Sequence, residues 1–141
     1  MVGTADFTGK WLVATNNFTQ LTPYITRYEL VTIHELFGKE LGDLFVLDED
    51  AAIWDDLKLI GFGLKSLLTG IIYVQYVRDL PYRVTNMGVV YQIDENSNQV
   101  MTALVLRQRY NECVKDWNEM GKYLGSNFDA YKGITKQIMI D

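Results

Sequence analysis

Cysteine and histidine are almost absent from this sequence of 141 residues, which has one of each, Cys113 and His34. A single thiol excludes a disulfide within the chain and a zinc site built from four cysteines. A single imidazole excludes any scheme that needs two histidines from one chain. Cys113 also lies in an apolar helical stripe, where a thiol behaves as a small buried hydrophobic side chain. The residue types most often used as nucleophiles, bases and metal ligands are therefore in short supply.

Positive charge is also scarce, because 13 lysines and arginines stand against 18 aspartates and glutamates, a net charge of −5. Attraction to phosphates comes from a surplus of lysine and arginine, so the composition disfavours a general nucleic-acid binder. Long apolar runs are missing too. The most apolar stretch is uncharged only from Ser66 to Val77, well short of the roughly 20 residues that cross a bilayer. The N-terminal residues lack a positive segment followed by an apolar run, so we expect neither a signal peptide nor a membrane span.

The hydrophobic content, 48% of the residues, is that of an ordinary globular protein, and the length suits a single domain over 1–141. Residues 1–21 are mixed in character and predict an irregular or partly extended N-terminal arm, whose Phe7, Trp11, Leu12 and Phe18 are available to dock onto the core. The pair Thr22-Pro23 predicts the first helix start, since threonine caps free N–H groups and proline suits the first helical position. We expect this helix to end at Gly38 and a short second helix, around Lys39–Phe45, to break near Gly42.

The predicted helical region covers 22–79, and its last part is predicted to be the central helix. Leu64, Leu67, Ile71 and Val74 recur at spacings of three and four, which places them on one side of a helix from about Gly63 to Asp79. A helix with so wide an apolar stripe is expected to lie in the middle of the core.

The C-terminal half of the chain predicts a hairpin, a long helix and a tail. Residues 80–95 favour strands around a turn at 86–88, which indicates a β-hairpin. An unbroken apolar stripe then predicts a long helix over 96–125; its members are Ala103, Leu106, Tyr110, Cys113, Trp117, Met120 and Leu124. The tail, 126–141, keeps isoleucines that need a docking site. The predicted fold class is mainly α: a helical bundle of about four helices, two of them long, plus a short β-hairpin and extended termini.

An acidic stretch lies between residues 40 and 56, with no basic residue in it. Such a run is most typical of a solvated surface, and its spacing does not reproduce a calcium-binding loop. Gly61-Phe62-Gly63 lacks the remainder of a phosphate loop and indicates a turn that enters a helix. We therefore expect no catalytic residue, no metal site and no cofactor. The carboxylates considered as a possible acidic face are Asp48, Glu49, Asp50, Asp55 and Asp56.

Aromatic residues make up 13% of the sequence, and tyrosine and tryptophan serve both cores and protein–protein interfaces. The hairpin and the tail have the least intrachain core to join, so their apolar and aromatic residues are predicted to contact other subunits or proteins. The predicted interface residues are Tyr82, Val84, Met87, Val89, Tyr91, Ile93, Phe128, Tyr131, Ile134, Ile138 and Ile140.

Five phrases of the sequence, taken together and in order, resemble a known family. They are DFTGKWLVATN, LTPYITRYELVTIHELFGKELGDLF, GLKSLLTGIIYVQYVRD, TNMGVVYQIDENS and YNECVKDWNEMGKYLGSN. Over residues 6 to about 127 the chain resembles the head–tail connector proteins of tailed bacteriophages. These are head-completion or neck adaptor proteins, here of the crAss-like type that infects Bacteroides-like hosts. None of the phrases is a catalytic fingerprint, so the resemblance depends on their order and spacing.

The resemblance implies a structural virion protein rather than an enzyme. Such proteins form a ring of twelve copies that matches the portal, joins it to the tail or to further neck proteins, and surrounds DNA without sequence-specific binding. The protein would be made in the cytoplasm of the bacterial host and end in the neck of the virion. The hairpin and the tail match the elements that reach to neighbours, and the acidic stretch is a candidate lining for the channel.

Two other functions stay open at the level of sequence. A small helical DNA-contacting regulator would use Arg107 and Arg109, although nearby acidic residues favour ion pairs within or between subunits. An enzyme would use the carboxylates between residues 48 and 56 with a bound cation. Salt-dependent duplex binding would identify the first of these, and stabilisation by a divalent cation would identify the second.

Overall fold

The computed structural model describes residues 1–11, 18–79, 82–85, 88–91 and 99–138; for 10, 18, 82–85, 88–91 and 99–103 it describes the backbone alone. The chain is mainly helical, as the sequence predicted. Its α-helices are α1 (Phe18–Phe37), α2 (Lys39–Leu47), α3 (Leu64–Asp79) and α4 (Gln99–Asn127), and shorter 3₁₀ helices cover Thr4–Asp6, Gly9–Trp11 and Ala52–Leu59.

Helix α3 is the centre of the core, with α1 and α4 packed against it. The side chains predicted to form its apolar stripe are buried, including Leu67 and Ile71. Burial extends around much of the helix, to Thr69, Gly70 and Tyr76. The prediction of a central helix over this segment is therefore confirmed, with its first residue at Leu64.

The predicted start of α1 at Thr22 is wrong, because the helix begins at Phe18 and contains Pro23. Proline removes one backbone donor, and in the second turn this costs a single bond to a carbonyl one turn earlier. The predicted end is right: Gly38 has φ of +83°, a conformation that favours glycine, and it separates α1 from α2. The predicted break near Gly42 is wrong, since α2 continues through that residue to Leu47.

Gly42 is needed for close packing rather than for a break. A Cβ placed on it would stand 2.6 Å from the imidazole Cδ2 of His34, so glycine lets α2 approach α1 here without displacing that ring. The His34 imidazole in turn hydrogen-bonds the carboxylate of Asp43 at 2.8 Å. This bond is the main reason that the pKa of Asp43 lies below its ordinary value.

Helix α4 continues two residues past the predicted end at 125, and the predicted start at 96 lies outside the described residues. Its C-terminal half is the buried part, with Cys113, Trp117, Met120 and Leu124 turned into the core as predicted. Gly125 does not end the helix. The last turn is closed by Asn127, whose side-chain amide donates to the carbonyl of Tyr123 at 2.7 Å.

The N-terminal segment is folded onto the body rather than extended, which corrects the prediction of an extended terminus. Phe7 and Trp11 are buried, as expected of residues that dock on the core. The indole Nε1 of Trp11 donates to the hydroxyl of Ser66 at 3.2 Å, and its ring lies 5.4 Å from that of Tyr73. Indole N–H groups usually find such a partner when buried, so this contact fixes the segment on α3.

Two short strands lie between α3 and α4 in the chain, β1 (Tyr82–Thr85) and β2 (Gly88–Tyr91). They pair antiparallel, with Tyr82 opposite Tyr91 and Thr85 opposite Gly88. Of the residues predicted as interface residues in this region, Met87 and Ile93 lie outside the described residues.

Among the described residues, no single helix has both the length and the apolar character needed to cross a bilayer. The segments Ala52–Leu59 and Leu64–Asp79 meet that requirement only together, with a bend of 64° between them.

Candidate interaction surfaces

The first candidate surface is formed along residues 44–62, where large apolar side chains face outward. On α2, Leu41 and Phe45 are buried, while Leu44, Val46 and Leu47 are exposed. In the 3₁₀ helix that follows, side chains three residues apart share a face. The buried face therefore carries Trp54 and Leu57, and the exposed face carries Ile53 and Leu59. We call the outward set the 44–62 surface; its apolar members are Leu44, Val46, Leu47, Ile53, Leu59 and Phe62.

Phe62 is at the tip of a tight turn that leads into α3, as the sequence predicted for Gly61-Phe62-Gly63. Both glycines have positive φ, +56° at Gly61 and +94° at Gly63. The carboxylate of Asp116 on α4 accepts a hydrogen bond from the backbone N–H of Phe62 at 3.3 Å. The same carboxylate occupies the space that a Cβ on Gly61 would need, so the turn is held against α4 while its aromatic ring is 70% exposed.

The predicted acidic residues border the 44–62 surface, and some are engaged within the chain. Glu49 lies 3.6 Å from the Met1 amino group, and Asp55 pairs with Lys58 at 3.2 Å. Asp56 accepts a hydrogen bond from the hydroxyl of Tyr123 at 2.9 Å, which raises the pKa of that tyrosine. Asp48 and Asp50 are solvent-exposed. Within the described ranges, no three acidic, histidine or cysteine side chains converge as metal ligands would.

The second candidate surface is the C-terminal tail, residues 128–138, which is folded back over α1 and α4. The backbone N–H of Ile134 donates to the carbonyl of Glu35 at 2.9 Å, and the carbonyl of Ile134 accepts from the indole Nε1 of Trp117 at 2.8 Å. Asn118 binds both backbone groups of Lys136, its amide donating to the carbonyl at 3.0 Å and its Oδ1 accepting from the N–H at 3.2 Å. The tail is thus held through its backbone.

The side chain of Lys136 strengthens this attachment. Its ammonium lies 3.3 Å from the carboxylate of Glu35 and 4.5 Å from the centre of the Trp117 ring, within the range of a cation–π contact. Glycines allow the close approach: a Cβ on Gly38 would stand 2.9 Å from the backbone of Lys132, and one on Gly133 would overlap the carbonyl of Leu36. Residues 128–138 are therefore docked on their own chain rather than reaching away from it, which corrects the prediction of a projecting C-terminal arm.

The predicted interface residues of the tail separate into two groups. Phe128 stacks on Trp54, with ring centres 5.4 Å apart, and the partly buried Tyr131 packs against the core, where burial raises its pKa. Phe128 and Tyr131 therefore make contacts within their own chain. Ile134 and Ile138 stay half exposed, at 50% and 52%. Ile140 lies outside the described residues, and the side chains of the predicted hairpin residues Tyr82, Val84, Val89 and Tyr91 are not described.

Sequence reasoning missed the residues that hold the tail, namely Glu35, Trp117 and Asn118. One signal was present: Trp117 lies in the buried stripe of α4, and a buried indole N–H requires an acceptor. The sequence could not indicate that the acceptor would be the carbonyl of Ile134, because nothing local places the tail beside α4.

The basic residues suggested for DNA contact lie on the N-terminal half of α4. The guanidinium of Arg109 is 3.7 Å from the carboxylate of Glu112 one turn later, and both Arg107 and Arg109 are only partly exposed. An i,i+3 pair of this kind is an ordinary feature of a helix surface. No feature of this part of the chain favours the DNA-contacting alternative.

Comparison of the chain with protein-family models, with curated proteins and with solved structures gives no match.

The contact between α1 and α3 predicts how the stability of the protein changes at alkaline pH. The hydroxyl of Tyr24 donates to the carboxylate of Asp79 at 2.9 Å, and its ring meets that of Tyr76 edge-on at 5.4 Å. Burial, followed by the bond to Asp79, raises the pKa of Tyr24 from 10.0 to about 12. The raised pKa means that the folded state favours the neutral phenol.

This stabilisation should be fully present below pH 10 and should be lost as the pH rises to about 12. We therefore expect the free energy of unfolding of the wild-type protein to fall more steeply across this interval than that of Tyr24→Phe. Urea denaturation between pH 8 and 12 would measure both slopes. Parallel curves for the two proteins over the whole range would contradict the assignment.

Proposed function

We propose that this chain is a non-enzymatic structural protein of a tailed-phage virion, a head–tail connector subunit. The observation that carries the proposal is the 44–62 surface, on which Leu47 is 84% exposed, Leu59 82% and Phe62 70%. Several large apolar side chains exposed within one segment, with charged residues among them, are typical of a site where another protein binds. The resemblance of five sequence phrases to connector proteins supports the choice of partner class.

In this proposal, copies of the chain assemble into a ring of twelve that joins the portal to the tail or to further neck proteins. A ring requires a heterologous contact, in which one surface of each copy meets a different surface of the next. The proposed architecture is a bundle of four α-helices with the β1–β2 hairpin as an extension. The 44–62 surface belongs to the bundle, and the hairpin and the exposed isoleucines of the tail supply further contacts.

DNA would pass through the centre of the ring without sequence-specific binding. A wall with an acidic balance suits this role, because negative charge repels phosphates and lets the genome slide. Asp48 and Asp50 are the best placed of the predicted acidic residues to contribute, since they are exposed and border the apolar surface. The protein would be made in the host cytoplasm and end at the head–tail junction.

Electron microscopy of the purified full chain, alone and mixed with its cognate portal, tests the proposal. We expect ring-shaped oligomers in at least one of the two samples, and their stacking on the portal in the second. A protein that stays monomeric in both samples would reject the connector function. Binding to duplex DNA at low salt, with loss of binding as salt rises, would instead favour the DNA-contacting alternative.

The 44–62 surface can be tested by replacing one of its most exposed members. We expect Leu47→Asp to leave the melting temperature within a few degrees of the wild-type value, because a side chain 84% exposed contributes little to the core. Ring assembly should weaken by tenfold or more, as for the loss of a central apolar contact, which costs about 1–2 kcal/mol. Sedimentation velocity over a concentration series would measure the change.

The matched control is Lys122→Asp, a charge change at an exposed position of α4 outside the 44–62 surface. It should assemble like the wild-type protein. Equal assembly of Leu47→Asp and the wild-type protein would remove the 44–62 surface from the proposed ring contact.

A further inference from the structure

The docked tail has the hydrogen-bonding pattern of an extended strand, with one edge turned to the body. Ile134 and Lys136 each have both backbone groups bonded to α1 or α4. In an extended chain, alternate residues direct their N–H and C=O groups to opposite edges. Residues 134 and 136 therefore belong to the inner edge, and the residues between and after them, Thr135 and Gln137, belong to the outer edge.

The outer edge of the tail is open. Both Thr135 and Gln137 are exposed, and across the described ranges no group hydrogen-bonds to the backbone of either one. Ile134 and Ile138, which flank this edge in the sequence, have half-exposed side chains. An exposed extended backbone with free donors and acceptors is a template on which another strand can pair.

The same chain also contains strands with open edges. Among the described residues the sheet has two strands, β1 and β2, so each is paired there along one edge only. A two-stranded hairpin is only marginally stable in water and gains from a further strand. The sequence of the hairpin is rich in β-branched residues, Val84, Val89 and Val90, which pair well with isoleucine across strands. In the described chain the sheet does not include the tail, so neither edge satisfies the other within one copy.

We propose that the outer edge of residues 135–137 binds the β1–β2 hairpin of a second copy of this chain, which adds its open edge as a pairing strand. The inference rests on the proposed function, since it names the contact by which neighbouring connector subunits would join. Each copy then supplies one hairpin and one tail edge. Such a contact is heterologous, and it propagates from copy to copy until the ring closes.

The inner edge explains how the tail can carry this contact without unfolding. Trp117 and Asn118 fix the backbone of residues 134 and 136, and Lys136 holds Glu35, so the outer edge is presented on a rigid support. A pre-ordered edge loses less conformational entropy on binding than a free tail would.

Proline at position 135 provides a direct test. It removes the outward N–H and places its ring at the edge, while the bonds of Ile134 and Lys136 to the body stay intact. We expect Thr135→Pro to raise the protein concentration needed for half-maximal ring assembly at least tenfold. The matched control, Thr135→Ala, keeps the N–H and should assemble like the wild-type protein. The melting temperature and tryptophan fluorescence of both variants should stay at wild-type values, which would show that the tail is still docked.

The outcomes separate this inference from the proposed function. If the wild-type chain forms no ring alone or with its portal, the connector function fails and this inference fails with it. If the wild-type chain and Thr135→Pro form rings equally well, the connector function stands and the strand contact is wrong.

Cysteine cross-linking gives a second measurement, which does not depend on proline leaving the tail docked. Thr135→Cys would be combined with Arg83→Cys in β1 or with Val90→Cys in β2, while the native Cys113 is buried and should not react. Mild oxidation should give a ladder of disulfide-linked copies for one of these pairs, and none for Thr135→Cys with Lys122→Cys. Absence of a ladder from both hairpin pairs, or disulfides formed only within one copy, would overturn the proposal.

Discussion

Replacing Trp54 with alanine is expected to lower the free energy of unfolding by about 3–5 kcal/mol. Trp54 is 1% exposed and joins three parts of the chain that are distant in sequence. Its ring lies 5.5 Å from Phe37, 5.6 Å from Phe45 and 5.4 Å from Phe128, and its indole Nε1 donates to the carbonyl of Asp48 at 3.1 Å. Alanine would leave a cavity where α1, α2 and the start of the tail meet.

Urea denaturation of both proteins would measure the effect. The free energy of unfolding of a domain this size is about 5–15 kcal/mol, so a loss of this size removes a large part of it and should give a much lower urea midpoint. Phe62→Ala is the matched control, because it also removes an aromatic ring from this region but from a side chain that is 70% exposed; it should change stability by less than about 0.5 kcal/mol. A loss below 1 kcal/mol for Trp54→Ala would show that the aromatic cluster does not support the fold as described.

The second large effect is expected at Gly70, in the middle of α3. A Cβ on this residue would stand 2.6 Å from the Sγ of Cys113 on α4 and 2.7 Å from the ring of Trp11. Alanine improves helix propensity over glycine by about 1 kcal/mol. Forcing α3 away from α4 and Trp11 costs more, about 1–3 kcal/mol and occasionally above that. We therefore expect Gly70→Ala to destabilise the protein despite the better helix former.

Gly125 in α4 offers the opposite case. A Cβ there would meet nothing closer than 3.4 Å, the Cδ1 of Tyr131, so Gly125→Ala should gain up to about 1 kcal/mol from helix propensity. Thermal unfolding of the two variants should thus shift in opposite directions. Adding Cys113→Ala should recover part of the loss at Gly70, because it removes one of the two obstacles; strictly additive effects would contradict this contact.

The sequence was sufficient to predict the helices that follow from local patterns. The stripe of α3 and that of the C-terminal half of α4 have regular spacings of three and four, and the residues that these spacings select are buried. The boundary at Gly38 was also predictable, because a positive φ leaves glycine as the suitable residue. These features depend on residues close together in the chain.

The features that were predicted wrongly depend on tertiary contacts. A proline normally marks a helix start, but Pro23 is tolerated in the second turn of α1. Glycine is a poor helix former, which predicts a break at Gly42, but this glycine lies within α2 and makes room for His34. The tail was predicted to reach away from the body, yet it docks on Glu35 and Asn118, which no local pattern connects to Lys136. Likewise, no local pattern in the sequence indicates which apolar residues of the 44–62 surface face outward.

The position of the tail has a consequence for the order of folding. Lys136 contacts Glu35 across 101 positions of the chain, whereas the helices form through contacts between near neighbours. Contacts of long sequence separation carry a large loop-closure entropy and tend to form after local structure. The helices should therefore assemble first, and the tail should dock on α1 and α4 last. During synthesis the residues that hold the tail would stay uncovered until residues 134–136 have left the ribosome, so a nascent chain would not present the docked tail prematurely.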